Sequence, residues 1–202
     1  MTSPADQPLS PRADSARVAC PLFQAEDGGS IPTSALRARA LMFAECDKLL
    51  AVRLVRRWHS RLPRTQSGPW QYAFSADIEG VIYAVALWHN PSTRSLPSHW
   101  LELRRLACAP DAPKNTCSRF LAWMVRWFAD RCPERERCIS YQDTAVHSGT
   151  IYRAAGWIPA YISVERQRDR TGYRRGTHRR YRTNLNGPEA DRAKKVRWEK
   201  ML

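Results

Sequence analysis

Apolar residues recur along this chain at two spacings, and the switches between them predict its elements. Leu50, Leu54 and Trp58 stand four apart behind Asp47, an N-cap residue type, which predicts a helix ending near His59. Tyr72–Ile78 and Val81–Trp88 are runs of β-formers on either side of Glu79-Gly80, the pattern of a hairpin. Trp100–Cys108 reads as a further strand. Pro110 and Pro113 bound a turn, and Asn115 or Thr116 can cap a helix running from about Cys117 to Ala129. Phe120, Leu121, Met124, Val125 and Phe128 form its apolar face. Arg137–Tyr141 is a short strand. Ser148–Ala155 is a short helix with Gly156 at the usual C-terminal stop, and Trp157–Val164 is a strand. Leu36–Phe43, LRARALMF, fits a strand or a helix. Loops are expected at Pro63, Gly68 and Pro69 and over His89–Pro97.

The order strand, helix, hairpin, strand, helix, strand, helix, strand defines an α/β fold, a mixed central sheet with flanking helices. Residues 1–30 are rich in Pro, Ser, Asp and Gly and read as a flexible tail. Residues 31–165 are then expected to form the α/β domain, and 166–202 a basic C-terminal extension. In open α/β sheets, ligands bind beyond the carboxyl ends of the strands. Asp143 and Pro110–Asn115 both follow such ends.

Composition narrows the class. The chain has 202 residues, 43% hydrophobic, enough for one ordinary core. No apolar run is long enough for a membrane span, and the N-terminus lacks a signal-peptide pattern, so a cytoplasmic protein is expected. Six cysteines occur without a CxxC pair, which predicts reduced, mostly buried thiols. No feature signals an oligomeric state.

The net charge is +14, and 28 of the 33 basic residues are Arg. Residues 166–202 hold 13 basic and 4 acidic residues, a net +9, against +5 for the rest. That asymmetry points to a polyanion, and nucleic acid comes before membrane because no amphipathic basic helix accompanies it. Within 166–182, Arg174, Arg175, Arg179 and Arg180 are interleaved with Tyr173, His178 and Tyr181. Thr171-Gly172 is a turn signal, so the stretch reads either as a basic hairpin suited to a DNA groove or as a solvated basic tail. Arg57 and Arg61 form a second basic cluster beside His59.

Candidate chemistry concentrates in CISYQDTAVHSGTIYRAAGW, Cys138–Trp157. Asp143 can orient an amine, accept its proton, or serve only as a turn residue. His147, ahead of a short helix, can hold phosphate, hold a base or carry a proton. Ser140 and Tyr152 add hydroxyls. His59, Asp143 and His147 together have the composition of a two-His, one-carboxylate iron site. Asn115 and Ser118, with Lys114, flank a helix N-terminus fit for an anion. Arg104 and Arg105 are expected to leave their strand on opposite faces, one toward the site loop. Trp88, Trp100 and Tyr141 are candidates to stack on a base, or are core.

The element order resembles the GNAT acyltransferase fold. IYRAAGW has the Tyr-x-x-x-Gly-aromatic form found where the last GNAT helix meets the next strand, filled by Tyr152, Gly156 and Trp157. CAPDAPKNTCSRF departs from the family's [Q/R]-x-x-G-x-[G/A] loop in having no glycine. A narrower resemblance covers roughly Val52 to Ser163. VRRWHSRLP, LELRRLACAPDAPKNTCSRFLAW and ISYQDTAVHSGTIYRAAGW resemble the Mom family of phage DNA-modifying proteins. That resemblance implies an enzyme of phage or prophage origin that places a carbamoylmethyl-type group on N6 of adenine in double-stranded DNA, against restriction. It implies Asp143, Tyr152, His147, His59 and Ser140 as catalytic residues, with Tyr152 the acid that protonates a thiolate leaving group. The GNAT resemblance implies acetyl-CoA or a related compound as the donor, with Asn115, Ser118, Lys114 and Arg105 expected to hold it. Two rivals stand beside it: an ordinary GNAT acetyltransferase on a protein or small amine, and a DNA-binding protein with an inactive GNAT fold.

Overall fold

The computed structural model describes residues 38–59, 70–163 and 194–202. The 1–30 tail, the Pro63–Pro69 loop, Arg61 and the 166–182 hairpin or tail lie outside these residues. A 3-10 turn, Ala38–Ala40, leads into β1, Met42–Glu45, so the described part of the LRARALMF stretch divides between turn and strand. α1, Lys48–Trp58, starts where expected because the Asp47 carboxylate accepts the Leu50 N–H at 2.8 Å. β2, Tyr72–Ile78, and β3, Val81–His89, form the expected hairpin. Its turn is made by two positive-φ residues, Glu79 at 50° and Gly80 at 82°, the twist that tight hairpins need. β4, Leu101–Cys108, α2, Thr116–Arg131, β5, Arg137–Asp143, α3, Thr150–Ala154, and β6, Ile158–Ser163, follow in the predicted order.

One strand lies beyond those the pattern predicts. β7, Lys195–Met201, lies between β5 and β6, antiparallel to both, in a seven-stranded sheet of order β1-β2-β3-β4-β5-β7-β6. Its alternation is regular: Lys195, Arg197 and Glu199 share one face, Val196, Trp198 and Lys200 the other. A domain limit at residue 165 therefore excludes an inner strand of the sheet.

The two sheet faces carry different layers. Ala51, Val52 and Val55 of α1 pack on Ala73, Val85, Leu87 and Ala107. On the other face, Phe120, Leu121, Met124 and Phe128 of α2 pack on Phe74, Trp88, Leu101 and Leu103. Trp88 is 0% exposed, donates its indole N–H to Met124 Sδ at 3.1 Å and meets Phe128 edge-on at 4.9 Å. It is core and reaches no base; truncating a Trp so placed costs about 3–5 kcal/mol.

What opens a site is the way β4 leaves β5. These two strands are parallel, and their ladder covers only Leu101–Leu103 against Cys138–Ser140, although β4 runs on to Cys108 and β5 to Asp143. Against β3, Leu87 faces Arg105 and Trp88 faces Leu103, so Arg104 is an extra residue, a β-bulge. A bulge bends its strand and increases its twist, and this one sits where the ladder with β5 stops. It also overturns the expectation for the two arginines. Glu102 and Arg105 face His89 and Leu87, on the α1 side, and the Arg104 head returns to Glu102 at 2.7 Å. Both arginines therefore belong to the α1 side.

Candidate functional site

Ser140 is the last β5 residue paired with β4, and its side chain is on the α2 face. Its Oγ lies 2.9 Å from the Tyr152 hydroxyl and 3.4 Å from the Leu103 carbonyl. With the serine proton on Leu103, Tyr152 donates to Ser140. The Tyr152 ring is fixed between two indoles, stacked on Trp198 at 5.3 Å and edge-on to Trp157 at 5.7 Å. Burial raises the pKa of its hydroxyl, partly offset by the Ser140 hydrogen bond. Tyr152 is thus a protonated donor at neutral pH, aimed at the point where the strands part.

The first turn of α2 approaches the same point. Asn115, just ahead of it, is left-handed at φ 68°, with no side-chain cap hydrogen bond. Thr116 does not cap either: its hydroxyl donates back to the Pro113 carbonyl at 2.7 Å, and Ser118 donates to the Asn115 carbonyl at 3.1 Å. The capping expected of Asn115 or Thr116 is replaced by a tight turn, in which Asn supplies the conformation a glycine usually does. The turn holds no acidic residue, and Lys114 beside it is exposed. The Cys108 and Cys117 thiols are hydrogen-bonded to each other across it, a contact that lowers the Cys117 pKa and raises that of Cys108. The cysteines with described positions are free thiols, and Cys20 lies outside them.

A second group forms on the α1 face. His59 ends α1, its N–H bonded to the Val55 carbonyl at 2.9 Å. Burial, then the positive charges of Arg105 and His147, lower its pKa from 6.5 to about 4, against a weaker opposing backbone hydrogen bond. Three residues from α1, β4 and the turn after β5 are therefore close enough to interact, and His59 is neutral at physiological pH. The unfolded chain takes up the imidazole proton near pH 6.5 and the folded chain only near 4. Stability should fall as pH drops through that window, by about 3 kcal/mol in all at 1.36 kcal/mol per pKa unit. Denaturant unfolding between pH 7 and 4 checks this: His59→Asn should lack that part of the decline.

The turn carrying Asp143 and His147 is tied from within. The Asp143 carboxylate accepts the Ala145 N–H at 3.0 Å and its carbonyl accepts the His147 N–H at 3.1 Å. Behind it, the buried Gln142 amide donates to the His147 carbonyl, and its Oε1 accepts the Trp198 indole N–H at 2.7 Å. Gly149, at φ 76°, fills the remaining space: a Cβ there would lie 2.5 Å from Gln142 Oε1 and 2.6 Å from Trp198 Cζ2. Gly149→Ala should cost about 1–3 kcal/mol from the left-handed backbone and the clash, and should loosen the His147 turn. Thermal melting of the variant reads the first effect. Gln142 and Trp198 were not singled out from the sequence. Gly149, the lone glycine between β5 and α3, was the available signal.

The five residues proposed as catalytic thus divide between the two faces of β5. Ser140 and Tyr152 lie on the α2 face, Asp143 and His59 on the α1 face, and His147, in the turn after β5, acts electrostatically on His59 and so belongs with that second group. Among the described residues no three His, Cys, Asp or Glu side chains are grouped to hold a metal, so the possible iron site of His59, Asp143 and His147 is not supported. The Arg105 guanidinium acting on His59 further disfavours a cation there. Arg57 is exposed in the last turn of α1; Arg61, Arg174, Arg175, Arg179 and Arg180 lie outside the described residues. No helix among the described residues is long and apolar enough to cross a membrane.

Acetyltransferases are among the solved structures similar to this chain. An acetyltransferase of Bacillus subtilis, solved in complex with CoA, matches with TM-score 0.52 and 11% identity over 80% of this chain and 97% of its own. A GNAT-family acetyltransferase from Streptococcus pneumoniae matches with TM-score 0.51 and 13% identity, over 80% and 99%. A ribosomal-protein-alanine N-acetyltransferase from Brucella melitensis matches with TM-score 0.51 and 11% identity, over the same shares. At such identities the likeness establishes the fold, and the fold is that of the GNAT acetyltransferases. No curated protein matches the chain. The model of the Mom protein family matches residues 40–201, and the chain belongs to that family.

Proposed function

We propose that this protein is a transferase that modifies N6 of adenine in double-stranded DNA with a carbamoylmethyl-type group, protecting phage DNA from restriction. The observation that carries the reading is the family match over residues 40–201, which runs through every described site element and ends in β7. The fold supports a CoA-type donor, and the local residues fit one. The α2 N-terminal turn has amide groups without intrahelical partners, no carboxylate and an adjacent Lys114, a surrounding suited to phosphates. Asn115, Ser118 and Lys114 would hold that end. Arg105, on the opposite sheet face, fits the acceptor side better than the donor phosphates. A bound CoA thioester would supply an activated acyl carbon and a thiolate leaving group, which alone would give an amide at N6. A carbamoylmethyl group is joined through its CH2, so for that product the related donor would have to carry the carboxamide on an activated methylene from which the leaving group departs.

The exocyclic amine of adenine is a weak nucleophile because its lone pair is delocalised into the ring. The protein's task is therefore to bring the amine close, take its proton and supply a proton to the departing group. Asp143 is the one carboxylate in the strand-end turn and takes the proton of the amine. His59, neutral at working pH, and His147 flank the same space and can accept or relay that proton. Tyr152, kept protonated by burial and directed by Ser140, supplies the second. An adenine in duplex DNA must first leave the stack. Plasmid recovered from cells expressing the protein should resist restriction enzymes whose sites contain adenine, and plasmid from cells expressing Asp143→Asn should be cut. Full cutting in both would contradict the reading and favour an ordinary acetyltransferase.

A further inference from the structure

Three aromatic side chains were candidates to hold an extruded base, and the structure separates them. Trp88 is enclosed in the core. Trp100 lies under the Arg137 guanidinium at 4.4 Å. Tyr141 differs from both. It is half-buried, and among the described residues its ring has no aromatic or cationic partner and its hydroxyl no hydrogen bond.

Its place in the sheet is specific. Ser140 is the last β5 residue paired with β4, so Tyr141 is the first one on the opened side. On its other side it pairs with Arg197, whose guanidinium lies over the Tyr161 ring at 5.5 Å. Strand alternation puts Tyr141 on the face of Asp143 and opposite to Ser140. Two residues along a strand span roughly 7 Å, comparable to the length of a purine. A base lying flat on Tyr141 would carry its exocyclic amine to the neighbourhood of Asp143.

We propose that Tyr141 is the platform on which the extruded adenine stacks, its amine directed toward Asp143. This rests on the DNA-modification reading above. Tyr141 is then a substrate-binding residue that sets preference for a flat, two-ring base, and its hydroxyl is dispensable to that role.

The test uses a duplex oligonucleotide from a region modified in cells, with 2-aminopurine in place of the target adenine. 2-Aminopurine brightens when it leaves the helix and is quenched when it stacks on an aromatic ring. Wild-type protein should leave the probe quenched. Tyr141→Ala should leave it bright and should lower kcat/KM for modification of the normal duplex by roughly five- to a hundredfold, the range of a lost base–aromatic stack. Tyr141→Leu keeps apolar bulk without a π face and should behave like Ala, and Tyr141→Phe should restore much of both signals. An unchanged melting temperature in the Ala or Leu variant separates the loss from misfolding. Wild-type quenching and turnover in both the Ala and Leu variants overturn the proposal while leaving the function intact. Absence of any modified nucleoside with the wild-type protein overturns the function and this proposal together.

Discussion

Asp143→Asn should reduce adenine modification by about 10² to 10⁴-fold, the range spanned by general acid–base groups, while the fold survives. The second half of that expectation comes from the turn. Asp143 Oδ1 accepts the Ala145 N–H at 3.0 Å, and an asparagine oxygen accepts the same bond. The Asp143 carbonyl bond to His147 is backbone and does not change. The substitution therefore removes the negative charge and the basic oxygen but keeps the loop. A variant with a wild-type melting temperature and near-normal modified deoxyadenosine would reduce Asp143 to a turn residue.

The second large effect concerns DNA. Arg174, Arg175, Arg179 and Arg180 to Ala together should weaken DNA binding by orders of magnitude. Each phosphate contact releases counterions, so the slope of log affinity against log salt should flatten by about one unit per contact, up to about four. These residues lie outside the described ones, but the chain on either side of them does not. The Lys195 N–H is bonded to Ser163 Oγ at 3.0 Å, and the Lys194 carbonyl accepts the Thr144 N–H at 3.1 Å. Ser163 and Lys194, the described residues that bound this stretch in sequence, thus both lie beside the Asp143 turn. Because β7 is an inner strand, truncation after Glu165 would remove part of the sheet, and the quadruple substitution is the informative variant. Fluorescence anisotropy over a salt series reads both quantities. Unchanged affinity and slope would move the contact to Arg53, Arg56, Arg57 and Arg61.

Much of this fold was legible because its elements obey simple local rules. Asp47 caps α1, Glu79-Gly80 turns a hairpin, and the apolar face of α2 repeats at helical spacing. β7 was not legible for a reason of context. Its alternation of Lys195, Arg197 and Glu199 with Val196 and Trp198 is a strand pattern, but it follows a long basic stretch and was absorbed into it. The bulge at Arg104 was hidden as well, since nothing in LELRRLAC marks the residue that will lack a partner. Without it, Arg104 and Arg105 would point to opposite faces as alternation dictates.

The site was legible as residue types and less so as geometry. The turn after β5 was found because Asp143, His147 and Ser148 cluster where α/β sheets bind ligands. That Ser140 and Tyr152 share a hydrogen bond, while Asp143 belongs to the other face, depends on strand parity and on α3 folding back over β7. The depressed pKa of His59 depends on Arg105 and His147, distant in sequence. Gln142 escaped notice because a buried amide bridging Trp198 and a turn carbonyl requires β7 to be in place.

The central claim is that this chain changes adenine in DNA, and nucleoside mass spectrometry tests it most directly. DNA from bacteria expressing the protein should, after digestion, yield a deoxyadenosine derivative heavier by the mass of a carbamoylmethyl-type group, absent from cells expressing Asp143→Asn. Digests with only the four ordinary nucleosides, from cells containing folded protein, would contradict the account.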